Sequence, residues 1–176
     1  MPRATAYPVA ILVACLAIPA PALAQDEAPS VAEMRARIEG CLAPSLVRET
    51  DETCIGAAST VCMNRPEGQT TRGMSACLGA ETEAWDAILN AMWPRVKAAA
   101  EQADAIESPQ EMGLPSRAQA LLDAQRAWIA FRDAECLHAY AMGGSGTIRT
   151  LYGASCQLEQ TAGRVLDFRQ WLRAPP

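Results

Sequence analysis

Thiol chemistry is the first activity that the residues raise. Cys136 and His138 stand two positions apart, and a thiolate beside a base is a nucleophile. On a helix, however, positions i and i+2 point to different faces. His138 is also the single histidine of the chain. The carboxylates Glu81, Asp86, Asp133, Glu135 and Glu159 lie on segments with apolar periodicity, and two of them could in principle cleave a glycosidic bond. A buried carboxylate more commonly satisfies a cation, so Arg126, Arg132 and Arg164 are the expected partners of Glu81 and Glu159. Asn90, one turn after Asp86, is expected to bond the backbone groups that Pro94 releases. CxxC, HExxH and CxxCH motifs are absent, so neither a metal nor another cofactor is expected, and the chain reads as a non-enzyme. Trp85, Trp93, Trp128 and Trp171 read as core or groove lining, with a carbohydrate platform as the unsupported alternative.

The segments that carry these residues are helical throughout. Ser30 and Glu33 form a capping box ahead of Val31, Met34, Ile38 and Leu42, and Pro44 ends that helix. A short second helix is expected near Glu52–Met63, closed by the Pro66 and Gly68 break. The third starts near Thr71 and runs to about Ile106, with Cys77, Leu78, Glu81, Trp85, Ile88, Leu89 and Val96 in phase and a kink at Pro94. Ser116 and Gln119 make a second capping box, and Leu121, Gln125, Trp128, Ile129, Arg132, Cys136 and Tyr140 share the face of the helix that follows. Ile148–Leu172 is the last. Strand-like alternation is absent. The fold class is all-α, about five helices in one disulfide-braced domain spanning residues 30–176.

Six cysteines follow position 30, and they allow fifteen pairings. Facing residues of a helical hairpin are equidistant from its turn, which narrows the choice. The pair Cys136–Cys156 centres on 146, inside the glycine-rich break. Cys41–Cys54 centres on 47.5, in the connection after Pro44, and Cys62–Cys77 on 69.5, in the break after Arg65. Cys54–Cys77 competes with a centre at 65.5 but would strand Cys41 with Cys62. The expected bridges are therefore 41–54, 62–77 and 136–156.

Such a set of cysteines suits an oxidising compartment. The N-terminus agrees: Arg3, the apolar stretch Val9–Ile18 and the small-residue ending Ala22-Leu23-Ala24 read as an export signal cleaved after Ala24. The apolar stretch is too short for a membrane span. A lipobox reading, with Leu12-Val13-Ala14 ahead of an acylated Cys15, is the alternative; the apolar core before Cys15 would then be very short, which favours soluble export to the periplasm or medium. Residues 25–29 read as a mobile leader. Cleavage removes Arg3 and no acid, taking the net charge from −5 to −6. That charge disfavours nucleic acid and anionic membranes and favours a basic protein partner.

Gly143-Gly144-Ser145-Gly146 admits two readings. Glycine serves helix C-caps, so the segment can be a plain helix stop. Three glycines exceed one cap, so it can also be a narrow tip that enters a partner's cleft.

Several blocks resemble a known family. They are Met74-Ser-Ala-Cys77 with Glu81, Trp85-Asp86 and Leu89-Asn90; Leu122-x-x-Gln125-Arg126-Ala-Trp128-Ile-x-Phe-Arg132-Asp-Ala-Glu-Cys136; Gly143-Gly144-Ser145; and Cys156-x-x-Glu159-x-Thr161-x-x-Arg164. Over about residues 54–172 the chain resembles the LprI-like lysozyme inhibitor N-terminal domain family, small exported helical bacterial proteins. The resemblance implies binding rather than catalysis, with lysozyme as the candidate basic partner. The tip residues Gly143, Gly144, Ser145, Thr147 and Arg149 are the candidate contact. A structural or accessory cell-envelope protein with a different partner is the competing reading.

Overall fold

The computed structural model describes Met1 and residues 30–44, 47–107, 109 and 111–173. Apart from Met1, the expected signal at 1–24, with Cys15 and Ala24, and the leader at 25–29 lie outside the described residues. Among the described residues there are six α-helices and one 3-10 turn, and no strand. They are α1 (Val31–Leu42), α2 (Arg48–Glu52), α3 (Ala57–Met63), a 3-10 turn (Pro66–Gln69), α4 (Thr71–Glu107), α5 (Arg117–Met142) and α6 (Arg149–Arg173). The segment expected as one helix over Glu52–Met63 is split, because Gly56 adopts φ +81°, a left-handed conformation that a continuous helix cannot contain.

The rod α4 is the axis of the domain. Its 37 residues span roughly 55 Å at the usual helical rise. Pro94 lies on its exposed side, and the helix continues through it because Ile88, Leu89 and Val96 remain packed on either side. α6 makes the most extensive contact with α4, α5 lies against α6, and α1 and α3 cover other parts of the rod. The core between them holds Trp85, Phe168, Met34, Ile38, Leu166 and Val165, all essentially without exposure. α5 contributes little to that core. Only Gln125 and Cys136 of α5 are buried, Trp128 is half-buried, and Ile129, expected inside, is exposed.

Three disulfides join Cys41 to Cys54, Cys62 to Cys77 and Cys136 to Cys156, the same pairs that the hairpin midpoints select. By restricting the unfolded chain each contributes about 2–4 kcal/mol.

Helix starts follow two patterns. At α1 the capping box is complete: Ser30 Oγ accepts from Glu33 N, and Glu33 Oε2 accepts from Ser30 N. At α5 only half of it forms. Ser116 Oγ accepts from Gln119 N, but the Gln119 amide turns away to Asp123. A residue of α4 replaces it. Asp104 accepts from Arg117 N at 2.9 Å, from Ala118 N at 3.0 Å and from Ser116 Oγ at 2.7 Å. The end of one helix therefore caps the start of the next.

These donors, the Ala118 amide first, hold the Asp104 carboxyl at about 2, below the ordinary 3.8. A depressed carboxylate contributes stability that is complete above its unfolded value and disappears as pH falls through its folded value. Asp104→Asn is expected to lower the melting temperature at neutral pH, and the gap to the parent should close between about pH 4 and pH 2 as the parent carboxylate protonates. Thermal melts across that range test it; a gap that stays constant with pH would refute the capping role.

Candidate functional site

The motif residues gather at two places. The first is a buried carboxylate. Glu81 has no exposure, and no arginine among the described residues reaches it, contrary to expectation. Its Oε1 accepts from Gly56 N at 2.9 Å and from the Trp85 indole Nε1 at 3.1 Å, while Oε2 accepts from Ser59 N at 2.5 Å. The donors are the free amides at the start of α3 and an indole one turn along α4. Peptide dipoles thus replace the expected ion pair. The left-handed Gly56 that splits the second helix is the residue that turns one of those amides toward the carboxylate. On the same helix Asn90 Nδ2 donates to Asp86 at 2.7 Å, so the amide serves a neighbouring carboxylate and not the backbone around Pro94.

The second place is a guanidinium stack. Arg164 is 8% exposed, and its Nε donates to Gln125 Oε1 at 2.8 Å, a buried bond that ties α6 to α5. Its Cζ lies 4.8 Å from the Phe168 ring centroid, 5.2 Å from Trp171 and 5.7 Å from Trp128. Arg132 adds a second cation 5.0 Å from Trp128, its charge held by Asp133. Burial pushes the Arg164 guanidinium below its usual range, with Asp167 opposing the shift from 3.8 Å. Ring faces substitute for the water that these cations lose. Glu159, expected to meet an arginine, is exposed and forms no ion pair with an arginine among the described residues, and Arg126 pairs with Asp123.

No cluster of three or more potential metal ligands exists among the described residues. Cys136 is bonded to Cys156, so it offers no thiol beside His138.

The glycine segment is a hairpin tip. Gly143 caps α5, and a Cβ there would overlap the Arg149 backbone, so the first residue of α6 crosses directly over it. Gly144 adopts φ +57°. Two of the three glycines are thus required by the turn itself. Gly153 repeats the close approach further back, where a Cβ would sit 3.2 Å from Tyr140 Cβ, and the Cys136–Cys156 bridge lies behind that. Ser145 and Thr147 are exposed. Arg149 is partly occupied, with its Cζ 5.2 Å from the Tyr140 ring. Residues missed in the sequence complete the surface: Met142 is 70% exposed and Ile148 43%. Their signal was available, since both are apolar residues within two positions of the break. Thr147 and Thr150 also face Thr70, Thr71, Arg72 and Ser75 across a groove of about 650 Å³ at the start of α4.

Comparison with known proteins bears on these elements. The model of the family described as lysozyme inhibitor LprI matches residues 62–168, more than half of the chain. This chain belongs to that family. The match takes in α4, α5, the tip and most of α6, with both the Cys62–Cys77 and Cys136–Cys156 bridges; α1, α2 and the first bridge fall outside it. An uncharacterised protein of Rhizobium meliloti (strain 1021) is 25% identical over 134 residues, covering 76% of this chain and 88% of that protein. No solved structure matches.

Two outcomes follow from the geometry. Glu81→Gln presents an amide NH2 to donor groups and should cost about 2–3 kcal/mol, read by chemical denaturation. An unchanged midpoint would mean that the three donors find other partners. Gly144→Ala should cost about 1 kcal/mol through its positive φ, and Gly143→Ala more, because backbone must move. Equal losses from the two would contradict the crossing of Arg149 over Gly143.

Proposed function

We propose that the protein is exported, loses residues 1–24, and inhibits lysozyme by binding, with the tip between α5 and α6 as the inserting element. The observation that carries this is the tip itself: a narrow turn braced by a disulfide, with Met142 and Ile148 left in water beside Ser145 and Thr147. Exposed apolar side chains on a preorganised turn suit a cleft, because little conformational entropy is lost when they bind. Membership in a family described by lysozyme inhibition supports the partner, and three disulfides fit an oxidising compartment.

Electrostatics point the same way. Lysozyme is a basic enzyme that works through two carboxylates in a cleft. A chain with net charge −5, or −6 after cleavage, is steered toward it, most strongly at low salt. At the cleft the tip offers neutral donors, the Ser145 and Thr147 hydroxyls and the backbone amides between them, so the acidic surface need not meet the catalytic carboxylates.

The test is lysis of a cell-wall substrate by lysozyme in the presence of the exported protein. Stoichiometric inhibition is expected. Met142→Asp and Ile148→Asp should each weaken it by about ten-fold or more, with unchanged melting temperatures because both side chains are exposed. Inhibition that survives both substitutions would move the contact away from the tip. An absence of inhibition by the parent would favour an envelope partner other than lysozyme.

A further inference from the structure

At the opposite end of α6 from the tip, about 30 Å along the helix, the chain reverses its charge. A half-open pocket of about 440 Å³ lies between α1, the middle of α4 and the last turns of α6. Ile88, Met92 and Leu172 supply apolar lining. Four guanidinium groups join them: Arg35 from α1, Arg95 from α4, and Arg169 and Arg173 from α6. The one acid in the lining is Glu39, already engaged by Arg35 at 2.8 Å. Arg169 and Arg173 both approach a single oxygen of buried Asp51, each at 3.1 Å. That contact holds them at the pocket edge as a fixed pair, whatever else they bind. Arg95 is different. It is exposed, and no described residue gives it an ion pair or a hydrogen bond.

Arginines around an apolar floor suit a ligand with two parts. Guanidinium recognises carboxylate and phosphate oxygens by paired hydrogen bonds. The floor excludes water and favours alkyl groups. The volume falls within the range of small-molecule sites, about 300–1,000 Å³. A free inorganic anion would leave the floor wet, and a neutral alkyl compound would leave Arg95 without a counter-charge.

We propose that this pocket binds an anionic amphiphile, a carboxylate or phosphate head on an alkyl chain, with the head on Arg95 and Arg35 and the chain on Ile88, Met92 and Leu172. In a bacterial envelope such a head can belong to a free fatty acid or to a lipid still in the bilayer, and the two are separable by experiment.

Calorimetric titration of the exported protein with sodium decanoate tests the site, with 1-decanol and inorganic phosphate as half-ligands. Saturable one-to-one binding of decanoate is expected, at least about ten-fold tighter than either half-ligand. Arg95→Gln should weaken decanoate by a similar factor without lowering the melting temperature, and Ala91→Trp should block the pocket. Because Arg95→Gln alters an exposed residue, it remains informative if the bulkier variant does not fold. Co-sedimentation with phosphatidylglycerol vesicles, lost in Arg95→Gln, would assign the lipid headgroup. Decanoate binding without vesicle binding would assign the free amphiphile. No saturable decanoate binding, or binding indifferent to Arg95→Gln, overturns the proposal.

Discussion

A carboxylate taken wholly out of water is the constraint on which the fold turns. Glu81 sits on the long helix with no exposure, where an unpaired charge would cost several kcal/mol. Two backbone amides from the start of α3 and the Trp85 indole meet it instead of an arginine. Satisfying Glu81 therefore fixes where α3 begins, how it lies on α4 and which way Trp85 points into the core. The Cys62–Cys77 bridge fastens the other end of the same short helix. A seven-residue helix has little stability of its own. Between the carboxylate and the disulfide it is held at both ends.

The opposite half of the domain solves a related problem with a cation. α5 carries few buried apolar residues, so hydrophobic packing alone holds it weakly. The Gln125–Arg164 bond, the rings around Arg164 and the Cys136–Cys156 bridge supply what packing does not. Of these, the Cys136–Cys156 bridge lies nearest the tip. It ties α5 to α6 behind a turn that leaves Met142 and Ile148 in water.

Charge is distributed with similar economy. The chain is acidic as a whole, which suits a basic partner at long range. Buried Asp51 nonetheless draws Arg169 and Arg173 together on α6, and Arg35 and Arg95 complete a local positive field over an apolar floor. Net charge alone hides such a reversal.

Much of this was readable from near neighbours along the chain. Helix faces follow a period of 3.6, so the burial of Met34, Ile38, Leu78, Trp85 and Val165 could be expected from spacing. The Ser30 cap depends on a residue three positions away, and each disulfide joins cysteines no more than 20 positions apart, so both obey local geometry. Partners from distant parts of the chain were not readable. Glu81 was expected to meet an arginine and met the amides of a helix that begins only because Gly56 turns left-handed. Asp104 took over half of an expected capping box across a helix junction, and Asp51 found two arginines well over a hundred residues away. Ile129 kept its place in the helical rhythm yet lies in water, because the rhythm says which residues share a face and not whether a neighbour covers it. Periodicity is a property of one helix, whereas burial and pairing belong to the crossing of several, and that crossing sets the surroundings of both the tip and the arginine-rimmed pocket.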